Sequence, residues 1–140
     1  MTLTEKAQSV FAADRYATEL TGVEITNVGT HEAVCTLTIN DRHRNARGVV
    51  MGGALFTLAD ICAAVAANSD TLERLQWVSL DSNIHFLAPA TDGILSAHCT
   101  ALKIGRATSL YQTLIESPDS SKNAPHGHMV AIVETNMIRI

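Results

Sequence analysis

The sequence feature that most constrains the fold is an apolar stretch at residues 49–69, VVMGGALFTLADICAAVAANS. From Ala54 to Ala67 the apolar residues cover every side of the predicted helix, so the helix needs packing partners all round. Gly52 and Gly53 open the stretch, and Asp60 lies at its centre. Burying a carboxylate without a partner costs on the order of several kcal/mol. The sequence therefore predicts a buried Asp60 that requires a structural or chemical explanation.

The segments around this helix have patterns typical of β-strands. Residues 22–40 predict two strands joined by a turn at Gly29 and Thr30. After the helix, apolar alternation predicts four more strands, at 77–89, 93–105, 106–117 and 128–140. The connections between these four are too short for parallel crossovers, so we expect an antiparallel sheet.

An N-terminal helix is predicted over residues 3–20, because Thr2 and Glu5 have capping-box spacing and an apolar face follows them. The complete pattern predicts an α+β hotdog fold, in which a curved antiparallel sheet wraps around one long central helix. A plain α+β sandwich with the helix on one face fits nearly as well. Residues 1–140 are expected to form a single domain, with a polar loop at 117–127.

Composition excludes several classes of protein. The net charge of −4 argues against a general nucleic-acid binder, which needs a basic surface. Asp60 interrupts the only long apolar stretch, which makes a membrane span improbable. The N-terminus does not resemble a secretory signal, and the three cysteines are widely spaced, as in reduced cytoplasmic proteins. We expect a cytoplasmic protein whose cysteines pack as small buried residues.

The start of the central helix and its carboxylate are the first candidates for chemistry. The N–H groups at Gly52 and Gly53 lack intrahelical acceptors and could stabilise a negatively charged oxygen, although the glycines could equally serve close packing. Asp60 could act as a general base or nucleophile, or it could border a subunit contact and bond Thr57. The residues alone leave both alternatives open.

Strand alternation over residues 77–86 places Val78, Leu80, Ile84 and Phe86 on one face of the strand and Ser79, Asp81, Asn83 and His85 on the other. The polar face resembles a hydratase signature only loosely, because the histidine spacing is one residue short and the asparagine lacks a following proline. A hydratase is therefore the weakest of the enzymatic hypotheses.

Basic residues cluster at two places. Arg42, Arg44 and Arg47 precede the central helix, while Lys103 and Arg106 flank a later turn. Either group could bind the phosphates of a ligand such as coenzyme A, or could simply be solvated. The pair of histidines in His126-Gly127-His128 is a weak metal pattern, and we expect no metal site.

Three ordered blocks resemble the phenylacetate-degradation (PaaI-like) branch of the hotdog acyl-CoA thioesterases. The blocks are HRNARGVVMGGALFTLAD at 43–60, VSLDSNIHFLAPA at 78–90 and KIGRAT at 103–108. The resemblance extends over about residues 20 to 140. It implies hydrolysis of an acyl-CoA thioester by a homodimer or homotetramer, with sites at the subunit interface. Coenzyme A would enter only as part of the substrate, with no cofactor, nucleic acid or membrane partner.

The resemblance also implies roles for individual residues. Asp60 would be the catalytic carboxylate, and the Gly52 N–H of the facing subunit would polarise the thioester carbonyl. Asn45 and Ser79 would orient neighbouring groups and the attacking water. The substrate would contact the start of the helix, the end of the third strand and the basic turn, through Met51, Gly53, Phe86, Pro89, Ala90, Lys103, Gly105, Arg106, Ala107 and Thr108.

This sequence departs from the family pattern at Met51, where a histidine is usual. Methionine cannot donate the hydrogen bond that a histidine would. Losing one such donor costs about 10²–10³ in rate where it has been measured. The main prediction is an acyl-CoA thioesterase for aryl or medium-chain acyl groups; the alternatives are a non-catalytic acyl-CoA-binding protein and, less favoured, an enoyl-CoA hydratase.

Overall fold

The computed structural model describes residues 1–118 and 128–140. Two α-helices occur, α1 (Leu3–Phe11) and α2 (Gly52–Ala67), with a short π-helical segment at Tyr16–Thr21 and a 3₁₀ turn at Asp41–His43. The strands are β1 (Val23–Gly29), β2 (Glu32–Thr38), β3 (Trp77–Phe86), β4 (Ile94–Ile104), β5 (Thr108–Ser117) and β6 (His128–Arg139). Most of the predicted polar loop at 117–127 lies outside the described residues.

The six strands form one antiparallel sheet in the order β1-β2-β4-β5-β6-β3. Helix α2 connects the first two strands to the rest and packs against the sheet. The predicted strand order along the chain, the antiparallel pairing and the hotdog architecture are confirmed. Strand β3 pairs only with β6 within the described residues, so its other edge is unpaired.

Helix α2 is covered on most sides, but one stripe remains exposed. Leu58, Ala59 and Cys62 are buried against the sheet. Gly53, Phe56 and Asp60 follow one another at helical spacing along the exposed side. The expectation that Asp60 is buried is therefore wrong for the folded chain. The sheet curves around only part of the helix, so the stripe opposite to it faces outward.

The N-terminal segment differs from the single helix predicted at 3–20. The capping box is confirmed: the Thr2 side chain accepts from the Glu5 N–H at 3.1 Å, and Glu5 accepts from the Thr2 N–H at 2.9 Å. The helix nevertheless ends at Phe11, where the Asp14 N–H donates to the Phe11 carbonyl at 2.9 Å. This tighter i to i−3 bond interrupts the helical ladder before the π-helical segment begins.

Asn68 fixes the start of β3 against the end of α2. This buried side chain donates to the carbonyls of Ala64 and Trp77, each at 3.0 Å. Its Oδ1 accepts from the N–H groups of Gln76 at 2.9 Å and Trp77 at 3.0 Å. Because these bonds join the helix end to the strand start, they help to set where β3 lies along α2.

The three cysteines are free and buried, as predicted. The thiol of Cys62 donates to the Ala33 carbonyl at 3.4 Å. Its pKa is raised by a hydrogen bond with Cys35 and by burial. Burial also raises the pKa of Cys99, to about 12. Cys62 and Cys99 thus behave as neutral core residues rather than as reactive thiols.

Candidate active site

Asp60 is held by a residue on the neighbouring strand. The hydroxyl of Ser79 donates to Oδ1 of Asp60 at 3.0 Å. Both side chains are exposed in the single chain. An acidic side chain on an exposed helix stripe would ordinarily rotate freely, whereas this bond selects one position for the carboxylate. The two residues that the sequence predicted to act together are therefore in contact.

Ser79 reaches Asp60 because β3 contains a bulge. The register with β6 shifts between Ser79, which pairs with Met137, and Asp81, which pairs with Asn136. The predicted alternation is wrong at this point, since the bulge places Ser79 on the same side as Ile84 and Phe86. An inserted residue reverses the two faces of a strand, and strict period-two counting misses it.

The hydratase-like residues lie on the other face of β3. Asp81 accepts a hydrogen bond from the Asn136 side chain at 2.7 Å. Asp81, Asn83 and His85 are exposed. Because Asn136 and the buried Met137 occupy opposite faces of β6, Asp81 points away from the helix that carries Asp60. The structure does not bring these residues into the candidate site.

The start of α2 offers two backbone donors. The carbonyl of His43 accepts from the Met51 N–H at 2.7 Å, which fixes the residue before the helix. The N–H groups of Gly52 and Gly53 have no acceptor among the described residues. A side chain at Gly52 would meet the Phe86 ring, since an added Cβ would lie 2.8 Å from Cζ. Gly52 can therefore both allow close packing against Phe86 and leave its N–H free to donate a hydrogen bond.

Asn45 shapes the loop that leads to this helix. Its Oδ1 accepts from the N–H groups of Arg47 at 2.9 Å and Val49 at 3.3 Å. Its Nδ2 makes no hydrogen bond within the described residues, so only this end is free to contact a ligand. Arg44 ties the same loop to Asp92 at 3.0 Å, and that bond raises the pKa of the arginine.

His43, which begins the first resemblance block, has a structural role in the chain. Its ring is buried and bonded at both nitrogens: Nδ1 accepts from the Asn40 N–H at 3.1 Å, and Nε2 lies 2.6 Å from the Thr21 carbonyl. The Nδ1 bond requires that Nε2 carry the proton and donate to Thr21. Both ring nitrogens are therefore occupied.

Met51 is 57% exposed and makes no side-chain bond to the helix end. It lies with Gly53, Thr57 and Tyr16 around an open cavity of about 320 Å³. The thioether therefore supplies an apolar, adaptable surface beside the free backbone donors rather than a third donor.

A second cavity, of about 460 Å³, contains Asp60. Phe56 and Tyr16 contribute apolar walls, and Asp14 contributes another carboxylate. Partial burial and the negative charge of Asp60 raise the pKa of Asp14. Sequence reasoning missed Asp14, because it lies in a segment predicted to be a continuous surface helix. Broken and continuous helices have similar amphipathic patterns, so no local sequence signal marked this residue.

The predicted substrate-contacting residues fall into separate groups in one chain. Lys103, Gly105, Arg106, Ala107 and Thr108 line one cavity of about 310 Å³ at the β4–β5 turn. The two cations there form no ion pair within the described residues. Pro89 and Ala90 line a different cavity, while Phe86 covers Gly52. A single chain therefore does not gather all the predicted contacts into one pocket.

Within residues 1–118 and 128–140, no group of three or more histidine, cysteine or acidic side chains could hold a metal ion. His126 and Gly127 of the weak metal pattern lie outside the described residues. None of the described helices has both the length and the apolar character required to span a membrane.

Comparison with known proteins identifies the family. A model of the thioesterase superfamily matches residues 47–124, which contain α2, Asp60 and Ser79. The chain belongs to the thioesterase superfamily.

Individual relatives agree with this membership. The chain is 29% identical over 98 residues to the 1,4-dihydroxy-2-naphthoyl-CoA hydrolase of Listeria monocytogenes, covering 69% of this chain and 79% of that protein. The PaaI protein from the phenylacetic acid degradation operon of E. coli is 26% identical, with a TM-score of 0.78 over 99% of this chain and 96% of that chain. The PaaI-like resemblance is confirmed, and the chain is a thioester hydrolase.

A thioesterase protein of Streptococcus pneumoniae that was solved with coenzyme A has the same fold. It is 22% identical and superposes with a TM-score of 0.77 over 93% of this chain and 96% of that chain. At this identity the likeness concerns the fold.

Proposed function

We propose that this superfamily member hydrolyses aryl- or medium-chain acyl-CoA to the free acid and coenzyme A. The observation that carries the proposal is the Asp60 carboxylate, oriented by Ser79 at the edge of a cavity large enough for an acyl group. A carboxylate fixed in this way can remove a proton from water or attack the thioester itself. The catalytic role of Asp60 is thus argued from its geometry together with the family.

Asp60 and Gly52 of one chain are too far apart to act on one thioester. They lie eight residues apart on α2, which corresponds to about 12 Å along the axis. A thioester carbon and its oxygen are separated by only about the length of one bond. The proposed site therefore pairs Asp60 with the start of α2 from a second subunit.

The surface around Asp60 suits such a partner. Met51, Phe56 and Phe86 are exposed around α2, and Leu80 is exposed at the bulge of β3. The unpaired edge of β3 adds free backbone donors and acceptors next to them. Large exposed apolar side chains beside an open strand edge favour association with another copy of the chain. We propose a homodimer as the active unit, which a homotetramer could contain twice.

In the proposed reaction, Asp60 accepts a proton from a water molecule, and the resulting hydroxide attacks the thioester carbon. The Gly52 N–H of the facing subunit donates to the carbonyl oxygen as negative charge develops there. Collapse of this intermediate breaks the C–S bond and releases the coenzyme A thiolate, which then takes up a proton. Direct attack by Asp60 would instead form a mixed anhydride, which water would hydrolyse.

Two further groups of residues support the bound substrate. Ser79 orients Asp60, and Asn45 can contact the substrate or the attacking water through Nδ2 alone, since its Oδ1 is committed to the loop. Lys103 and Arg106, both exposed and without carboxylate partners in the described part of the chain, are suited to coenzyme A phosphates.

Met51 favours one alternative, an acyl-CoA-binding protein without turnover. Its side chain supplies no donor beside Gly52, so oxyanion stabilisation rests on backbone groups. Release of free thiol from a panel of aryl- and alkyl-CoA thioesters decides between the two functions. We expect turnover that is lost in Asp60→Asn while the mutant still folds; binding without any turnover would support the alternative.

A further inference from the structure

The proposed reaction leaves one carboxylate of the reacting cavity without a role. Asp14 lines the same cavity as Asp60, although the two come from distant parts of the chain. Asp14 lies where the N-terminal helix breaks, between α1 and the π-helical segment. The break turns this residue towards α2, so that a segment outside the sheet contributes a charged group to the site.

The Asp14 carboxylate has no partner of its own. It makes no hydrogen bond and no ion pair within the described residues. The adjacent cation, Arg15, also lines this cavity, but its guanidinium pairs with Glu19 at 3.0 Å rather than with Asp14. The electrostatic effect of Asp60 on the pKa of Asp14 indicates that the two carboxylates influence one another across the cavity. The cavity therefore has two negative groups, and the cation on its wall, Arg15, is paired with Glu19 instead of neutralising either of them.

The other walls of the cavity are suited to an uncharged chain. Phe56, Ile61 and Ala17 add apolar surface to the wall of the cavity that contains the two carboxylates. An acyl group whose carbonyl is near Asp60 would extend along these walls. A neutral group gains from this apolar contact, whereas a terminal carboxylate would meet two like charges in partly desolvated surroundings.

We propose that Asp14 is a specificity-determining residue that restricts the enzyme to uncharged acyl groups by repelling acyl chains that end in a carboxylate. This inference rests on the proposed function, because it assumes that the acyl group occupies the Asp60 cavity. Coulomb repulsion between unit charges about 4 Å apart in water is about 1 kcal/mol, or roughly fivefold in affinity. Removing the charge of Asp14 should therefore weaken the discrimination by about that factor.

Binding of two matched, non-hydrolysable ligands tests the inference without relying on turnover. S-hexyl-CoA and S-(5-carboxypentyl)-CoA have equal chain lengths and differ in the terminal carboxylate. Calorimetry would give the ratio of their Kd values for the wild type, for Asp14→Asn and for Glu24→Gln. The Glu24 variant is the control, because it removes an exposed carboxylate on β1 that does not line the cavity.

We expect the wild type to prefer S-hexyl-CoA and Asp14→Asn to reduce that preference about fivefold, with the ratio in Glu24→Gln unchanged. An unchanged ratio in Asp14→Asn, an equal change in both variants or no binding of either ligand would overturn the inference. Thiol release from hexanoyl-CoA by wild type and Asp60→Asn tests the hydrolytic function separately. An altered ratio without hydrolysis would support the role of Asp14 in binding and contradict the proposed catalysis.

Discussion

Ser79 on β3 donates a 3.0 Å hydrogen bond to Asp60 on α2, and this contact joins the sheet to the helix at the candidate catalytic carboxylate. The bond depends on the β-bulge that brings Ser79 to the helix side of its strand. A local irregularity of the sheet thus determines the geometry of the site.

Replacing Ser79 with alanine should lower kcat about tenfold to a hundredfold, because Asp60 would lose the group that orients it. The free energy of unfolding should change by less than about 0.5 kcal/mol, since both side chains are exposed. Steady-state kinetics and urea unfolding measure the two effects. Ser82→Ala is the matched control: it breaks a bond of equal length, to Thr135, on the same strand. Equal losses of kcat in both variants would contradict the orienting role.

Replacing Met51 with histidine should raise kcat by about tenfold or more, because it adds a donor beside the Gly52 N–H. Met51→Leu keeps an apolar side chain without a donor and should leave kcat near the wild-type value. Single-turnover kinetics on one thioester compares the three proteins directly. A histidine variant no faster than the leucine variant would show that the backbone donors suffice.

Asn68→Ala should destabilise the fold by about 3 kcal/mol or more, because it leaves several buried backbone groups without partners. Equilibrium urea unfolding gives the change, and Asn136→Ala provides a comparison in which a side-chain bond on the outer face is removed. If the two substitutions cost the same, Asn68 would not be the residue that fixes β3 against α2.

Stability should fall in alkaline solution because of the buried thiols. In the folded chain the pKa of Cys99 is raised to about 12 from an ordinary value of 9.0. Above pH 9 the unfolded chain therefore releases a proton that the folded chain retains. The stabilisation contributed by the protonated Cys99 thiol is complete below pH 9 and is lost as pH rises towards 12, by up to about 1.4 kcal/mol per pH unit.

Urea unfolding between pH 8 and 10 measures this loss as a change in the midpoint. Cys99→Ala should make the stability less dependent on pH in that range, although it lowers stability at every pH by removing core contacts. An unchanged slope in this variant would show that other groups cause the alkaline loss.

Much of the fold was predictable because its signals are local. The Thr2–Glu5 capping box, the β1–β2 hairpin and the apolar stretch of α2 each require only neighbouring residues to be recognised, although the hairpin turn lies at residues 30–31, one residue after the predicted position. The exposure of Asp60 was not predictable in this way, since it depends on how far the sheet curves around the helix. The apolar composition predicted helix α2 correctly, but it could not show which side of the helix the sheet leaves exposed.

The site was predicted less completely, for two physical reasons. A bulge in β3 reversed the faces beyond Ser79, and no periodic pattern marks where such an extra residue falls. Asp14 was missed because a broken helix and a continuous one have similar amphipathic patterns. Family motifs pointed to Asp60, Gly52 and Ser79 as candidates, whereas Asp14 became a candidate only through the shape of the cavity.

The central claim is that each catalytic site takes Gly52 from one subunit and Asp60 from another, and it suggests a pair of complementary variants. Gly52→Pro removes the N–H donor, and the backbone accepts it because Met51 has the extended conformation that precedes proline, with φ −64° and ψ 140°. Gly52→Ala is its control, because it introduces the same contact with Phe86 while keeping the N–H. We expect the alanine variant to retain more activity than the proline variant.

The most direct measurement is thiol release by a refolded equimolar mixture of Asp60→Asn and Gly52→Pro chains, each inactive alone. If sites are shared, every mixed dimer contains one intact site, and random association should restore about a quarter of the wild-type activity. If each site is built within one chain, the mixture will stay as inactive as the separate variants, and the proposed active site would be contradicted.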